Sequence, residues 1–194
     1  MKSSEKKYFP MFVDLTDKKV VVAGAGTIAK RRIRAMLEFT EHLTVIAPEV
    51  NPELRTLEEQ GKLTVLRKAY EREDLYDAAL VIAATNDKKT NEDIYAACKC
   101  LGIPVNVCND RDKCDFYFPG IATCGNTVIG VSTNGREKRR QQALAEQIEQ
   151  VLWQETKSEE TTVSECPNNG GHMLEKIFTA GAARGNPEGP GGYG

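Results

Sequence analysis

The feature that most constrains this chain is the stretch Val20-Val-Val-Ala-Gly-Ala-Gly-Thr-Ile-Ala29, an apolar run that ends in the pattern G-x-G-x-x-A. The run Val20 to Ala23 suits a buried strand, Gly24 allows a tight turn, and Gly26 lets a phosphate approach the backbone at the start of the next helix. Ala29 stands where the third glycine of such a motif would fall, at the point where helix and strand pack closely. Any tight strand-to-helix connection can use the same three small residues. Here the motif has a strand before it and a helix after it, which points to a dinucleotide site.

Strand-like runs recur at Lys19 to Ala23, Leu43 to Ala47, Leu63 to Arg67, Leu80 to Ala84 and Val105 to Val107, with helical spacing in most of the gaps. The first helix begins near Thr27 and carries an apolar stripe of Ala29, Ile33, Met36 and Leu37, with Lys30, Arg31 and Arg34 on the polar side. Asn51 to Gln60 and Asn91 to Leu101 read as further helices, the second stopped by Gly102 and Pro104. After Asp115 the pattern changes. Two apolar runs within Phe116 to Ser132 are separated by Cys124-Gly125-Asn126, a β-hairpin signal, and a helix follows from about Glu137 to Gln154. Its stripe of Leu144, Ile148, Val151 and Leu152 is too apolar for a lone helix and must pack on the sheet or on another subunit.

The expectation is an α/β fold: a Rossmann-like doubly wound parallel sheet, followed by a small β-hairpin plus a helix in a dimerisation region. Residues 1–113 form the dinucleotide-binding domain, 114–156 the hairpin and helix, and 157–194 a polar, then Gly- and Pro-rich tail expected to be disordered.

A formal net charge of −2 gives no global attraction to nucleic acid or to an anionic membrane, so anion recognition must come from local clusters. Two clusters exist, Lys30-Arg31-Arg32 with Arg34, and Arg136 with Lys138, Arg139 and Arg140 after the turn Ser132-Thr133-Asn134-Gly135. Guanidinium groups bind carboxylates in pairs, although the same residues can merely solvate a helix face. The six cysteines, Cys98, Cys100, Cys108, Cys114, Cys124 and Cys166, form no C-x-x-C pair, so buried reduced thiols and a cytoplasmic location are expected. The apolar stretch Tyr8 to Val13 contains Pro10 and ends at Asp14, too short for a signal peptide or a membrane span. The two histidines, His42 and His172, have no neighbour at ligand spacing, so no metal site is expected.

Four segments together resemble the precorrin-2 dehydrogenases of siroheme synthesis, some of which are also sirohydrochlorin ferrochelatases. They are Tyr8-Phe-Pro-Met-Phe-Val-Asp-Leu15, the glycine turn with Lys30-Arg31-Arg32, Ile82-Ala-Ala-Thr-Asn-Asp87, and Asn106-Val-Cys-Asn-Asp110 leading to Cys114-Asp-Phe-Tyr-Phe118. The resemblance implies NAD-dependent oxidation of precorrin-2 to sirohydrochlorin by a homodimer, with Fe(II) as a further substrate in the chelatases. It implies cofactor contacts at Gly24, Gly26, Thr27, Ile28, Pro48 and Glu49, with Thr85 and Asn86 at the end of the fourth strand facing the same crevice. Glu49 has an independent rationale, since a carboxylate after the second strand accepts hydrogen bonds from ribose hydroxyls and repels a 2′-phosphate, favouring NAD. For a polycarboxylate macrocycle the cationic partners would be Arg31, Arg136 and Lys138, with Ser132 in the intervening turn.

The chain departs from that family at two points. A carboxylate is expected three residues after the asparagine of the N-V segment, and the position holds Asn109, whose amide cannot take a proton. Catalytic roles then fall to Asp110 as a base or to Asn109 as a positioning amide, with Asp112 a further acid along the loop and an ordinary turn role open to both aspartates. Where the family shows a small polar residue and proline after the glycine turn, this chain has Arg136, Glu137 and Lys138. The rival reading is a non-catalytic module that binds NAD or a tetrapyrrole, with Asn109 as the lesion.

Overall fold

The computed structural model describes residues 8–133 and 137–163. Arg136 and the tail beyond residue 163 lie outside the described residues. Five parallel strands, β1 (Lys19–Ala23), β2 (Leu43–Ile46), β3 (Thr64–Leu66), β4 (Ala78–Ala83) and β5 (Val105–Val107), lie side by side in the order β3-β2-β1-β4-β5. The helices are α1 (Thr27–Met36), α2 (Pro52–Glu59), α3 (Lys88–Leu101) and α4 (Lys138–Val163). Chain order moves outward from β1 to β3 and then returns to start again at β4. The switch point, where such folds bind ligands, is therefore the gap beyond the carboxyl ends of β1 and β4.

Alternation along β1 explains why its apolar run is continuous. Val20 and Val22 join Ile33, Met36 and Leu54 of α1 and α2 in one core layer; Val21 and Ala23 join Ile94, Ala97 and Cys98 of α3 in the other. A strand covered on both faces has no polar side to show. Burying each such aliphatic side chain contributes about 1.5–3 kcal/mol.

Caps set the helix ends. Asn51 accepts a 3.0 Å hydrogen bond from the Leu54 N–H with Pro52 next to it, as the sequence suggests for α2. Asp87 accepts from the Thr90 N–H at 2.9 Å, so α3 starts at Lys88 rather than at Asn91. The Asn91 expectation missed this because the first turn of α3 is polar and shows no apolar stripe.

Beyond the sheet, β6 (Gly120–Cys124) and β7 (Thr127–Val131) form the antiparallel hairpin, and α4 packs on it rather than on the parallel sheet. Ala145 is fully buried there, whereas Val151, from the expected apolar stripe, and Trp153 are exposed. The helix continues to Val163, past the expected end at Gln154 and into the stretch assigned to the tail, because no Gly or Pro interrupts residues 155–163. Side-chain hydrogen bonds tie this unit to the segment after β5 and that segment to the sheet. Asn106 of β5 donates to the Phe116 carbonyl at 2.8 Å, and Gln141 of α4 donates to the Phe118 carbonyl at 3.2 Å.

A Cβ at Gly120 would stand 2.7 Å from the Gln141 carbonyl oxygen and 3.0 Å from the Ala145 Cβ. Gly120→Ala is expected to destabilise the docking of α4 by about 1–3 kcal/mol, an overpacking cost. Hydrogen exchange should show lost protection in α4 and the hairpin with the β1–β5 amides unchanged.

Candidate functional site

The turn after β1 is built by close backbone approach. Gly24 has φ +110°, and a Cβ there would meet the Ala84 carbonyl oxygen at 2.4 Å and the Thr85 nitrogen at 3.0 Å. Its own N–H donates to the Ile46 carbonyl at 2.8 Å, and the Ala84 N–H donates to the Ala23 carbonyl at 2.8 Å, so the turn is wedged between the ends of β2 and β4. Gly26 is different: nothing lies within 4 Å of where its Cβ would be. It is the N-cap of α1, with no side-chain cap and no acidic residue in the first turn. Uncapped N–H groups and the positive end of the helix dipole thus face open space, which suits an anionic diphosphate.

The other expected cofactor residues stand around this turn. Thr27, Ile28, Pro48, Glu49 and Asn86 are exposed, Ile28 to 50%. Thr85 is half-buried, and its hydroxyl lies 2.8 Å from Asn91 Oδ1 and 2.9 Å from the Asp87 carbonyl, so its one hydrogen is used inward. Asn91, which the sequence did not single out for a site, is 1% exposed. It binds the Thr85 main chain twice, accepting from its N–H at 3.1 Å and donating to its carbonyl at 3.0 Å, and it donates to Asn109 Oδ1 at 3.3 Å.

Next to the crevice is a cavity of about 790 Å³ between α1, the end of β5, the hairpin and α4. Arg31, Ser132 and Lys138, expected for substrate, all line it, together with Arg32, Arg111 and Arg139. Among the described residues, the carboxylates on its wall are Glu38 and Glu149. The first basic cluster divides: Lys30 and Arg34 are both paired with Glu53 of α2, while Arg31 and Arg32 turn to the cavity. In the second, Arg140 pairs with Glu137.

Arg32 is the cation that the sequence left undistinguished. Its guanidinium lies 4.0 Å from the centre of the Phe118 ring, and its Nε is buried without a hydrogen-bond partner among the described residues. Burial holds it below the usual guanidinium range, with no carboxylate among the causes. Burial likewise pushes the Cys108 thiol up, against the pull of the adjacent Arg32. Phe118 and Tyr117 add aromatic surface to the same wall, the latter packed against Tyr8 at 4.7 Å between ring centres.

Neither candidate catalytic residue lines this cavity. Asp110 caps the 3₁₀ turn Arg111–Lys113, accepting from the Asp112 N–H at 3.1 Å, and lies 3.6 Å from the Lys113 ammonium. Asn109 is exposed at the carboxyl end of β5. His42 is exposed, and no group of three or more His, Cys, Asp or Glu side chains among the described residues is arranged to hold a metal ion. Among those residues, no helix is long and apolar enough to cross a membrane.

Known proteins resemble this chain. An NAD(P)-binding family model matches residues 11–120. A multifunctional siroheme biosynthesis protein of Ruminiclostridium josui is 38% identical over 144 residues, covering 74% of this chain and 28% of that protein. A siroheme synthase of Nitrosospira multiformis is 38% identical over 149 residues, covering 75% of this chain and 32% of that protein. The chain thus spans about a third or less of the length of these relatives. Among solved structures, SirC, a precorrin-2 dehydrogenase, is similar with a TM-score of 0.61 and 28% identity, over 75% of this chain and 74% of that one.

Gly24→Ala should strain both the turn and its contact with Ala84, costing about 1–3 kcal/mol and displacing the α1 N-terminus. Calorimetric titration is expected to show NAD affinity falling at least tenfold, well beyond the change in thermal midpoint.

Proposed function

We propose that this chain, a member of the NAD(P)-binding family whose model it matches, is a precorrin-2 dehydrogenase that oxidises precorrin-2 to sirohydrochlorin with NAD as coenzyme. The observation that carries this reading is the adjacency of a bare helix N-terminus behind Gly24 and Gly26 to a cationic, aromatic cavity large enough for a macrocycle. When bound, the oxidised nicotinamide supplies a hydride acceptor. The chain's own residues bind and orient. The first turn of α1, with Thr27 and Ile28, holds the diphosphate; Pro48 and Glu49 meet the adenosine ribose; Thr85 and Asn86 border the nicotinamide half. Arg31, Arg32, Lys138 and Arg139 bind ring carboxylates, Ser132 flanks them, and Phe118 and Tyr117 supply flat apolar contact.

Oxidation removes a hydride and a proton from the ring. In this reading Asn109 positions the reactants, Asp110 is engaged in capping its turn, and the proton leaves to water. Where Fe(II) is a substrate, it meets the macrocycle directly. The enzyme is proposed to act in the cytoplasm, which suits its free thiols. It is also proposed to act as a homodimer, which suits the exposure of Phe9 (88%), Met11 (75%), Phe12 (73%) and Trp153 (52%).

Incubation with precorrin-2 and NAD should produce NADH fluorescence. Arg32→Met should raise KM for precorrin-2 about tenfold or more, the cost of a lost charged hydrogen bond, and leave KM for NAD unchanged. Intact NAD binding with no NADH would favour the non-catalytic module instead. Sedimentation velocity should give a dimer, converted to monomer by Phe12→Asp with Trp153→Glu; a wild-type monomer at micromolar concentration would contradict the dimer.

A further inference from the structure

We infer that Asn91 fixes the polarity of Asn109, so that this chain presents a hydrogen-bond donor, not an acceptor, at the nicotinamide end of the crevice. The inference rests on the coenzyme reading above. Its ground is a chain of hydrogen bonds whose directions leave no choice. The Thr85 N–H can only donate and the Thr85 carbonyl can only accept, so Asn91 must place Oδ1 on the first and Nδ2 on the second, at 3.1 and 3.0 Å. Flipping the Asn91 amide would set like groups against each other at both contacts, inside a site 1% exposed. Asn91 Nδ2 therefore has one hydrogen left. It points to Asn109 at 3.3 Å, and the atom that accepts it is the Asn109 oxygen.

With its oxygen held inward, Asn109 turns its own NH₂ outward, where among the described residues it makes no further hydrogen bond. The place of that NH₂ follows from the fold. The diphosphate cradle lies after β1 and Glu49 after β2, so the nicotinamide half of a bound dinucleotide extends to the other side, over the ends of β4 and β5. Thr85 and Asn109 stand there. An outward NH₂ at that position suits the carboxamide oxygen of the nicotinamide, and it cannot serve as a base. Asn91 is thus a positioning residue: it holds Thr85 to the end of β4 and sets which face Asn109 shows.

The test compares NADH with ADP-ribose, which shares the diphosphate and lacks the nicotinamide, by titration of the full chain. Asn109→Ala is expected to raise the Kd for NADH about 5–10-fold, the equivalent of one neutral hydrogen bond, and to leave ADP-ribose unchanged. Asn91→Asp keeps the acceptor for the Thr85 N–H, gives up the donor to the Thr85 carbonyl and makes Asn109 swing its NH₂ inward, so it should produce the same selective loss together with a lower thermal midpoint. The double variant should be no weaker than Asn91→Asp alone, since both changes remove one interaction. Unchanged NADH affinity in Asn109→Ala, equal losses for both ligands, or additive losses in the double variant would each overturn the inference. If Asn91→Asp fails to fold, Asn109→Ala, on the exposed loop, decides alone. A wild-type chain that bound neither ligand would remove the coenzyme reading and this inference together.

Discussion

The contact on which the site depends is a backbone-to-backbone approach with no side chain between: Gly24 against Ala84 and Thr85. Two parallel strands that diverge in chain order leave a gap at their carboxyl ends, and the turn after β1 closes part of that gap only because it can press against the end of β4. From this contact the rest follows in sequence. The turn places the α1 N-terminus; the end of β4 places Thr85; Thr85 is held by Asn91, and Asn91 reaches Asn109. One steric requirement at one glycine thus sets the geometry of both halves of the crevice.

The cavity is a joint product of the sheet and the appended unit. Its cations come from α1, α4 and, at Arg111, the turn after β5; α1 and α4 meet there because the segment after β5 folds back along that strand. Asp115 binds the Val105 N–H at 3.0 Å and Asn106 the Phe116 carbonyl at 2.8 Å, so a stretch without regular structure is held as firmly as an edge strand. The segments around Asn106 and Asp115 thus satisfy each other's polar groups.

Much of the fold was legible because local signals decided it. The apolar runs of the buried strands, the caps Asn51 and Gly102, and the hairpin turn at Gly125 act within a few residues of themselves. The sites were legible as types and not as individuals. Lys30 and Arg34 cannot be told from Arg31 and Arg32 in sequence, because what separates them is Glu53, supplied by another helix. Asn91 carried no signal at all, since an asparagine in the first turn of a helix is ordinary until its partners across the sheet end are known. The extra turns of α4 beyond Gln154 were lost for a different reason: helix propagation needs no apolar stripe where nothing breaks it.

The orphan nitrogen of Arg32, under the ring of Phe118, has a consequence for how the protein is handled as a reagent. A half-sheltered cation with no carboxylate paired to it among the described residues carries an electrostatic penalty in the native state, and any polyanion that seats there relieves it by mass action. Shelf life and resistance to proteases should then track the anion content of the buffer, and sulfate or citrate in a purification would compete there with any polycarboxylate ligand.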